Sequence, residues 1–180
     1  MNFLELVRRR QSVRSYLEKS VEREKIDKCL EAARLAPSAL NAQPWRFIVI
    51  DDPILKNKIA EKTFSKIISF NRFSLQAPVL IVIISNYSGI LNKIKKTIKN
   101  RQFYSIDIGI AVENICLQAT EEGLGTCILG WFDQRGIKDL LDIPEEKKVE
   151  LVLTMGYPVS TKIRLKKRKN LDEIRSYNKL

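Results

Sequence analysis

Apolar and polar positions follow two different periods along the chain, and the changes of period mark its elements. In residues 22–35, Ile26, Cys29, Leu30 and Ala33 recur three and four apart, the pattern of a helix with one buried face. Pro37 ends that helix. Residues 47–50 read as a strand, and Pro53 opens another helix at a first-turn position that suits proline. Residues 78–84 are apolar throughout, and with Ser85 they predict a central strand covered on both faces. Residues 86–101 are polar and basic, with Ile90, Leu91, Ile94 and Ile98 along one edge of a predicted helix. Residues 106–122 are apolar almost all round, which predicts a helix buried in a core or in a subunit interface, capped by Gly123. Strands follow over 126–131 and 149–155, a short helix over 4–9 precedes the rest, and the composition turns strongly charged beyond Pro158. The pattern predicts one domain over residues 1–180, with 158–180 as a C-terminal arm. A central sheet flanked by helices is expected, because the strand connections are too varied for a doubly wound order.

Composition narrows the chemistry. At 180 residues the chain can bury a sizeable core, and no apolar run reaches membrane-spanning length. The first residues, Met-Asn-Phe-Leu-Glu-Leu-Val-Arg, do not resemble a signal peptide. Three cysteines, Cys29, Cys116 and Cys127, are odd in number and widely spaced, which points to a reducing cytoplasm and away from disulfides or a zinc site. Cys127 reads as a buried strand residue before it reads as a nucleophile. Histidine is absent, which removes imidazole triads and relays. In an enzyme without histidine, a cofactor is expected to carry the chemistry. The net charge of +11 favours anionic ligands, although most of these lysines also suit a simple solvated surface. No RNA-binding, zinc-finger or leucine-zipper pattern supports nucleic acid as the partner.

Four short segments carry the specific signals. In Ala36-Pro37-Ser38-Ala39-Leu40-Asn41-Ala42-Gln43-Pro44-Trp45-Arg46-Phe47, two prolines stiffen a helix-to-strand loop that presents a hydroxyl and two amides. Such a loop suits a flat heteroaromatic ligand, and its amides can equally bond their own backbone in Asx-type turns. In Arg10-Gln11-Ser12-Val13-Arg14, alternate residues of an extended segment point one way, so both guanidinium groups and the hydroxyl can face one ligand. Arginine suits phosphate through its forked, charge-assisted hydrogen bonds. Gly123-Leu124-Gly125-Thr126-Cys127 follows a helix and precedes a strand, the reverse of a dinucleotide-binding glycine fingerprint. Gly156-Tyr157-Pro158 precedes the basic run Lys166-Lys167-Arg168-Lys169.

Taken in register, these four segments resemble the nitroreductase family of FMN-dependent NAD(P)H oxidoreductases. The resemblance implies an α+β fold with a central, mostly antiparallel sheet, built as an intertwined homodimer with flavin at the interface and the arm wrapping the partner. It implies that Arg10, Gln11 and Ser12 serve the FMN phosphate and that Arg14 approaches the pyrimidine edge of the ring. Pro37, Ser38, Asn41 and Gln43 would reach a flavin from the opposite subunit, and Asn71 would contact the ring or ribityl chain. Leu129 and Gly130 would pass their backbone along the flavin, and glycine permits close approach there. Lys166 and Arg168 would complete the phosphate site. Trp131 is a candidate to narrow the substrate pocket.

The implied activity takes a hydride from NAD(P)H and reduces a small electron-poor substrate such as a nitroaromatic or quinone, with no catalytic side chain and no metal. Neither membrane nor nucleic acid is expected as a partner. The alternatives are a flavin-binding sensor without turnover, and a specialised relative of the reductive dehalogenase or flavin-destructase type. The cations Lys93, Lys95, Lys96, Lys99 and Arg101 further suggest a preference for anionic substrates or for NADPH.

Overall fold

A computed structural model of the protein describes residues 1–85 and 103–180. The helix expected over 86–101, with its five basic residues, lies outside the described residues. Four strands, β1 (Trp45–Ile50), β2 (Val79–Ser85), β3 (Gly125–Leu129) and β4 (Lys148–Gly156), form one sheet in the order β1-β2-β4-β3. Every neighbouring pair is antiparallel. Five helices surround it among the described residues: α1 (Phe3–Arg9), α2 (Arg23–Arg34), α3 (Pro53–Glu61), α4 (Phe103–Glu121) and α5 (Gln134–Leu140). This is the α+β arrangement expected from the sequence. None of the described helices is long and apolar enough to cross a membrane.

The sheet separates two apolar layers, and β2 feeds both. All seven of its residues are buried. Val79, Ile81 and Ile83 pack with α2 and α4, whereas Leu80, Val82 and Ile84 pack with α3 and α5. The strand therefore reads as a continuous apolar run because its two faces meet two different cores. Gly123 closes α4 with a left-handed φ of 76°, and Leu124 N–H returns to the Ala119 carbonyl at 2.7 Å, a helix ending that favours glycine.

Three details differ from the sequence pattern. β1 begins at Trp45, directly after Pro44, and β3 stops at Leu129, two residues before Trp131. Only one face of α4 enters the core, through Ile108, Ala111, Val112, Ile115, Cys116 and Ala119; Ile106 and Ile110 reach the surface. Finally, the 158–180 segment carries no regular element beyond a short 3-10 turn at Leu171–Glu173.

Candidate active site

The segment after α1 is laid along the start of β3 and pinned there. Val13 N–H donates to the Thr126 carbonyl at 2.8 Å, and Ser12 bridges Thr126 in parallel. Gly125 makes this approach possible, since a Cβ there would stand 2.5 Å from Val13 Cγ2. Farther along, Tyr16 bridges Pro158 and is buried. Its hydroxyl donates to the Val13 carbonyl at 2.8 Å and lies 2.6 Å from Thr154 Oγ1. Burial, the dominant influence, raises the Tyr16 pKa well above the ordinary phenol value. The segment is thus fixed at Ser12 and Val13 and again at Tyr16.

The C-terminal arm crosses this segment. Gln11 Nε2 donates to the Lys162 carbonyl at 3.1 Å, and Gln11 Oε1 accepts from Arg164 N at 3.1 Å and Arg164 Nε at 3.3 Å. Arg164 Nη2 also donates to the Ser12 carbonyl. Lys166 Nζ reaches the Val7 carbonyl at 2.8 Å. Gln11, Ser12, Arg14, Lys162 and Arg164 line a cleft of about 490 Å³.

Charge around the cleft is unbalanced. Arg14 and Arg164 line it, Arg10 and Lys166 lie near each other on the same two segments, and the one carboxylate paired with any of the four among the described residues is Glu113. Arg10 Nε lies 3.1 Å from Glu113 Oε1 but outside hydrogen-bonding geometry, so this buried nitrogen has no hydrogen-bond partner. Partial burial, then the charges of Arg10 and Arg168, hold the Lys166 pKa below the usual lysine value. An arrangement of four cations served by one carboxylate, with a serine hydroxyl beside them, is suited to bind a dianion such as a phosphate monoester.

The thiols take no part in this chemistry. Burial pushes Cys29 up to about 12 and Cys116 up to about 11, and it also raises Cys127. A thiol held protonated in this way is a poor nucleophile.

At the other end of β3, Leu129 is buried while Gly130 is exposed, and a Cβ on Gly130 would meet nothing within 4 Å. The backbone there faces open space. Asn71 is buried, and its Nδ2 donates to the Trp131 carbonyl at 3.2 Å, which fixes the chain just beyond Gly130. Trp131 meets Phe70 edge-on with ring centroids 6.3 Å apart.

The loop holding Pro37, Ser38, Asn41 and Gln43 stands apart. Leu40, Asn41 and Gln43 all have positive φ (56°, 52° and 44°), and Ala39 N–H is held by Asp107 Oδ2 at 3.2 Å. Ser38 Oγ accepts from Gln43 N at 2.9 Å, and Gln43 Nε2 donates to Asn41 Oδ1 at 3.2 Å. Within one chain these side chains are therefore turned partly on one another. Among the described residues, no hydrogen bond or ion pair joins this loop to residues 10–14 or to the arm.

Of the expected phosphate-site residues, Gln11 and Ser12 line this cleft with Arg14, while Arg10 and Lys166 lie beside each other outside its lining. Arg168 lies at their edge, exposed, donating to the Lys167 carbonyl at 2.8 Å. Arg164 was missed from sequence, although Lys162, Arg164, Lys166 and Arg168 are spaced two apart in the arm, which puts all four basic residues on one side of an extended chain.

The model of the nitroreductase family matches residues 7–157. A Methanothermobacter thermautotrophicus protein named "Putative NADH dehydrogenase/NAD(P)H nitroreductase" is 35% identical, over 88% of this chain and 78% of its own. An iodotyrosine deiodinase of Thermotoga neapolitana is 28% identical, over 86% and 87%. Among solved structures, an FMN-dependent nitroreductase of Clostridium difficile R20291 superposes with a TM-score of 0.77 at 29% identity, covering 99% of this chain and 100% of that one. The chain belongs to the nitroreductase family.

Proposed function

We propose that the protein is an FMN-dependent oxidoreductase that draws electrons from NAD(P)H and reduces small electron-poor substrates, nitroaromatics and quinones among them. The observation that carries this reading is the cation surplus at residues 10–14 and 164–166, where four cations have one acidic partner, Glu113, among the described residues. These residues fit FMN: Arg10, Arg164, Lys166 and the Ser12 hydroxyl suit its phosphate, and Arg14 suits the pyrimidine edge. The open side of Gly130, next to Leu129, leaves room for a flat ring against the backbone. Arg168 adds positive charge at the rim.

When bound there, FMN would supply two-electron redox chemistry between the nicotinamide and the second substrate. The protein binds and orients. Arg14 sets positive charge where negative charge builds up on reduction, and Asn71 holds the backbone beyond Gly130 in place. No side chain is assigned as a catalytic acid, and protons come from solvent at the exposed Gly130 side. The reading includes a homodimer in a reducing cytoplasm. It is supported by the exposed apolar residues of α1 and α4 (Phe3, Leu4, Ile106 and Ile110), by the three free thiols, and by a 37–43 loop that, among the described residues, bonds neither residues 10–14 nor the arm.

A second reading is favoured by the iodotyrosine deiodinase among the relatives: the same site would remove halide reductively from an aromatic substrate. The test is a spectrum of protein incubated with FMN and desalted, followed anaerobically with NADPH, with NADH, and then with nitrofurazone or iodotyrosine. Retained flavin that bleaches with a nicotinamide and recovers with nitrofurazone is the expected result. Recovery with iodotyrosine alone would favour the dehalogenase. Flavin that never bleaches would mean a binder without turnover, and no retained flavin would overturn the site.

A further inference from the structure

A second cleft, of about 710 Å³ and sharing no lining residue with the first, lies between residues 16–21, the start of α3 and the start of β2. It holds a buried cation. Lys56 is 8% exposed, and its Nζ donates to Asn57 Oδ1 at 2.6 Å and to the Leu75 carbonyl at 2.7 Å. Both partners are neutral, and an ammonium has three N–H donors.

Lys138 shows what a buried lysine otherwise has in this fold. It is 6% exposed and sits 3.2 Å from the Glu145 carboxylate. Lys56 has no ion pair among the described residues, and burial without a carboxylate holds its pKa below the usual value. The acids on this cleft do not supply the missing charge: Asp51 is paired with Arg23 at 3.1 Å, and Glu18 is exposed. Asn57 and Gln76 accept through their amide oxygens, which leaves both NH₂ groups as further donors. The same cleft is also lined by the apolar Pro53, Ala77, Pro78 and Val79.

We propose that this cleft binds an organic carboxylate, its anionic head on Lys56 and its apolar body against Pro53, Ala77, Pro78 and Val79. The volume suits a small organic molecule. The apolar wall and the nearby acids favour a monoanion with a hydrocarbon part over phosphate.

The test is thermal unfolding of FMN-incubated, desalted protein titrated with hexanoate, with inorganic phosphate at matched ionic strength as control. The flavin band of the same sample reports separately on the arginine site. Hexanoate is expected to raise Tm saturably, by about 3–6 °C at ten times its half-saturating concentration, and phosphate by less. Lys56→Met should abolish the rise. Ser20→Trp, which keeps both Lys56 hydrogen bonds and crowds the cleft, should abolish it too, while Arg164→Ala should retain it. No rise in the wild type, an undiminished rise in both cleft variants, or loss in Arg164→Ala in place of Lys56→Met would overturn the proposal.

Discussion

Arg10 and Tyr16 lie six residues apart on one segment, and their polar groups end in opposite situations. The Tyr16 hydroxyl is buried with two partners, Val13 and Thr154, and its surroundings need nothing from outside. Arg10 keeps a buried Nε without a hydrogen bond, in a cluster of four cations served by one carboxylate. Burial makes both states consequential, because an unmet polar group costs more in the interior than at the surface. A satisfied group belongs to the architecture, and an unsatisfied cluster at a cleft belongs to a ligand. The same reasoning separates Lys138 from Lys56.

The largest effect should come from emptying the unsatisfied end. Arg10→Ala combined with Arg164→Ala removes two charge-assisted contacts, each about 1.5–3 kcal/mol. FMN affinity measured by fluorescence titration should fall by about 10²–10⁴-fold, with Tm almost unchanged. Tyr16→Phe addresses the satisfied end. It should cost about 1–3 kcal/mol in urea unfolding and leave FMN affinity within a few-fold. A stability loss in the arginine variant, or an affinity loss in the tyrosine variant, would erase the contrast.

The thiols sharpen it through pH. Cys29 and Cys116 keep their protons in the fold above the ordinary value of 9.0, toward about 12 and about 11, so the unfolded chain loses its protons first. Their contribution to stability is complete below pH 9 and declines as pH rises from there. Urea unfolding should show a loss of about 1 kcal/mol for each of these thiols between pH 9 and pH 10, and Cys29→Ala/Cys116→Ala should remove their share of it. The smallest effect belongs to Arg168→Ala. With its guanidinium exposed at the rim, FMN affinity should change less than about 5-fold in the same titration.

The fold was legible where one residue pattern allows one environment. Residues 79–85 have no polar side before Ser85, so the strand must lie between two cores, and Gly123 sits where a left-handed residue ends a helix. The 106–122 pattern was less decisive, because an all-apolar helix looks the same whether its outer face meets core or a partner. The resemblance supplied Arg10, Ser12 and Arg14; Ser12 and Arg14 line one cleft, and Arg10 pairs with Glu113 beside it. Arg164 was hidden by its neighbours: in a tail of alternating cations, only the hydrogen bonds to Gln11 and Ser12 show which one turns inward. The positive φ values at Leu40, Asn41 and Gln43 were invisible as well, since hydrogen bonds within the loop act together with a long-range contact, Asp107 with Ala39, to set them.

The central claim, that the unsatisfied cations hold the phosphate of FMN, is tested most directly by comparing FMN with riboflavin, which lacks that phosphate. Dissociation constants for both should be measured on the wild type and on Arg10→Ala/Arg164→Ala. The account predicts that the wild type prefers FMN by about 100-fold or more and that the variant loses most of this preference while binding riboflavin as before. An undiminished preference for FMN in the variant would contradict it.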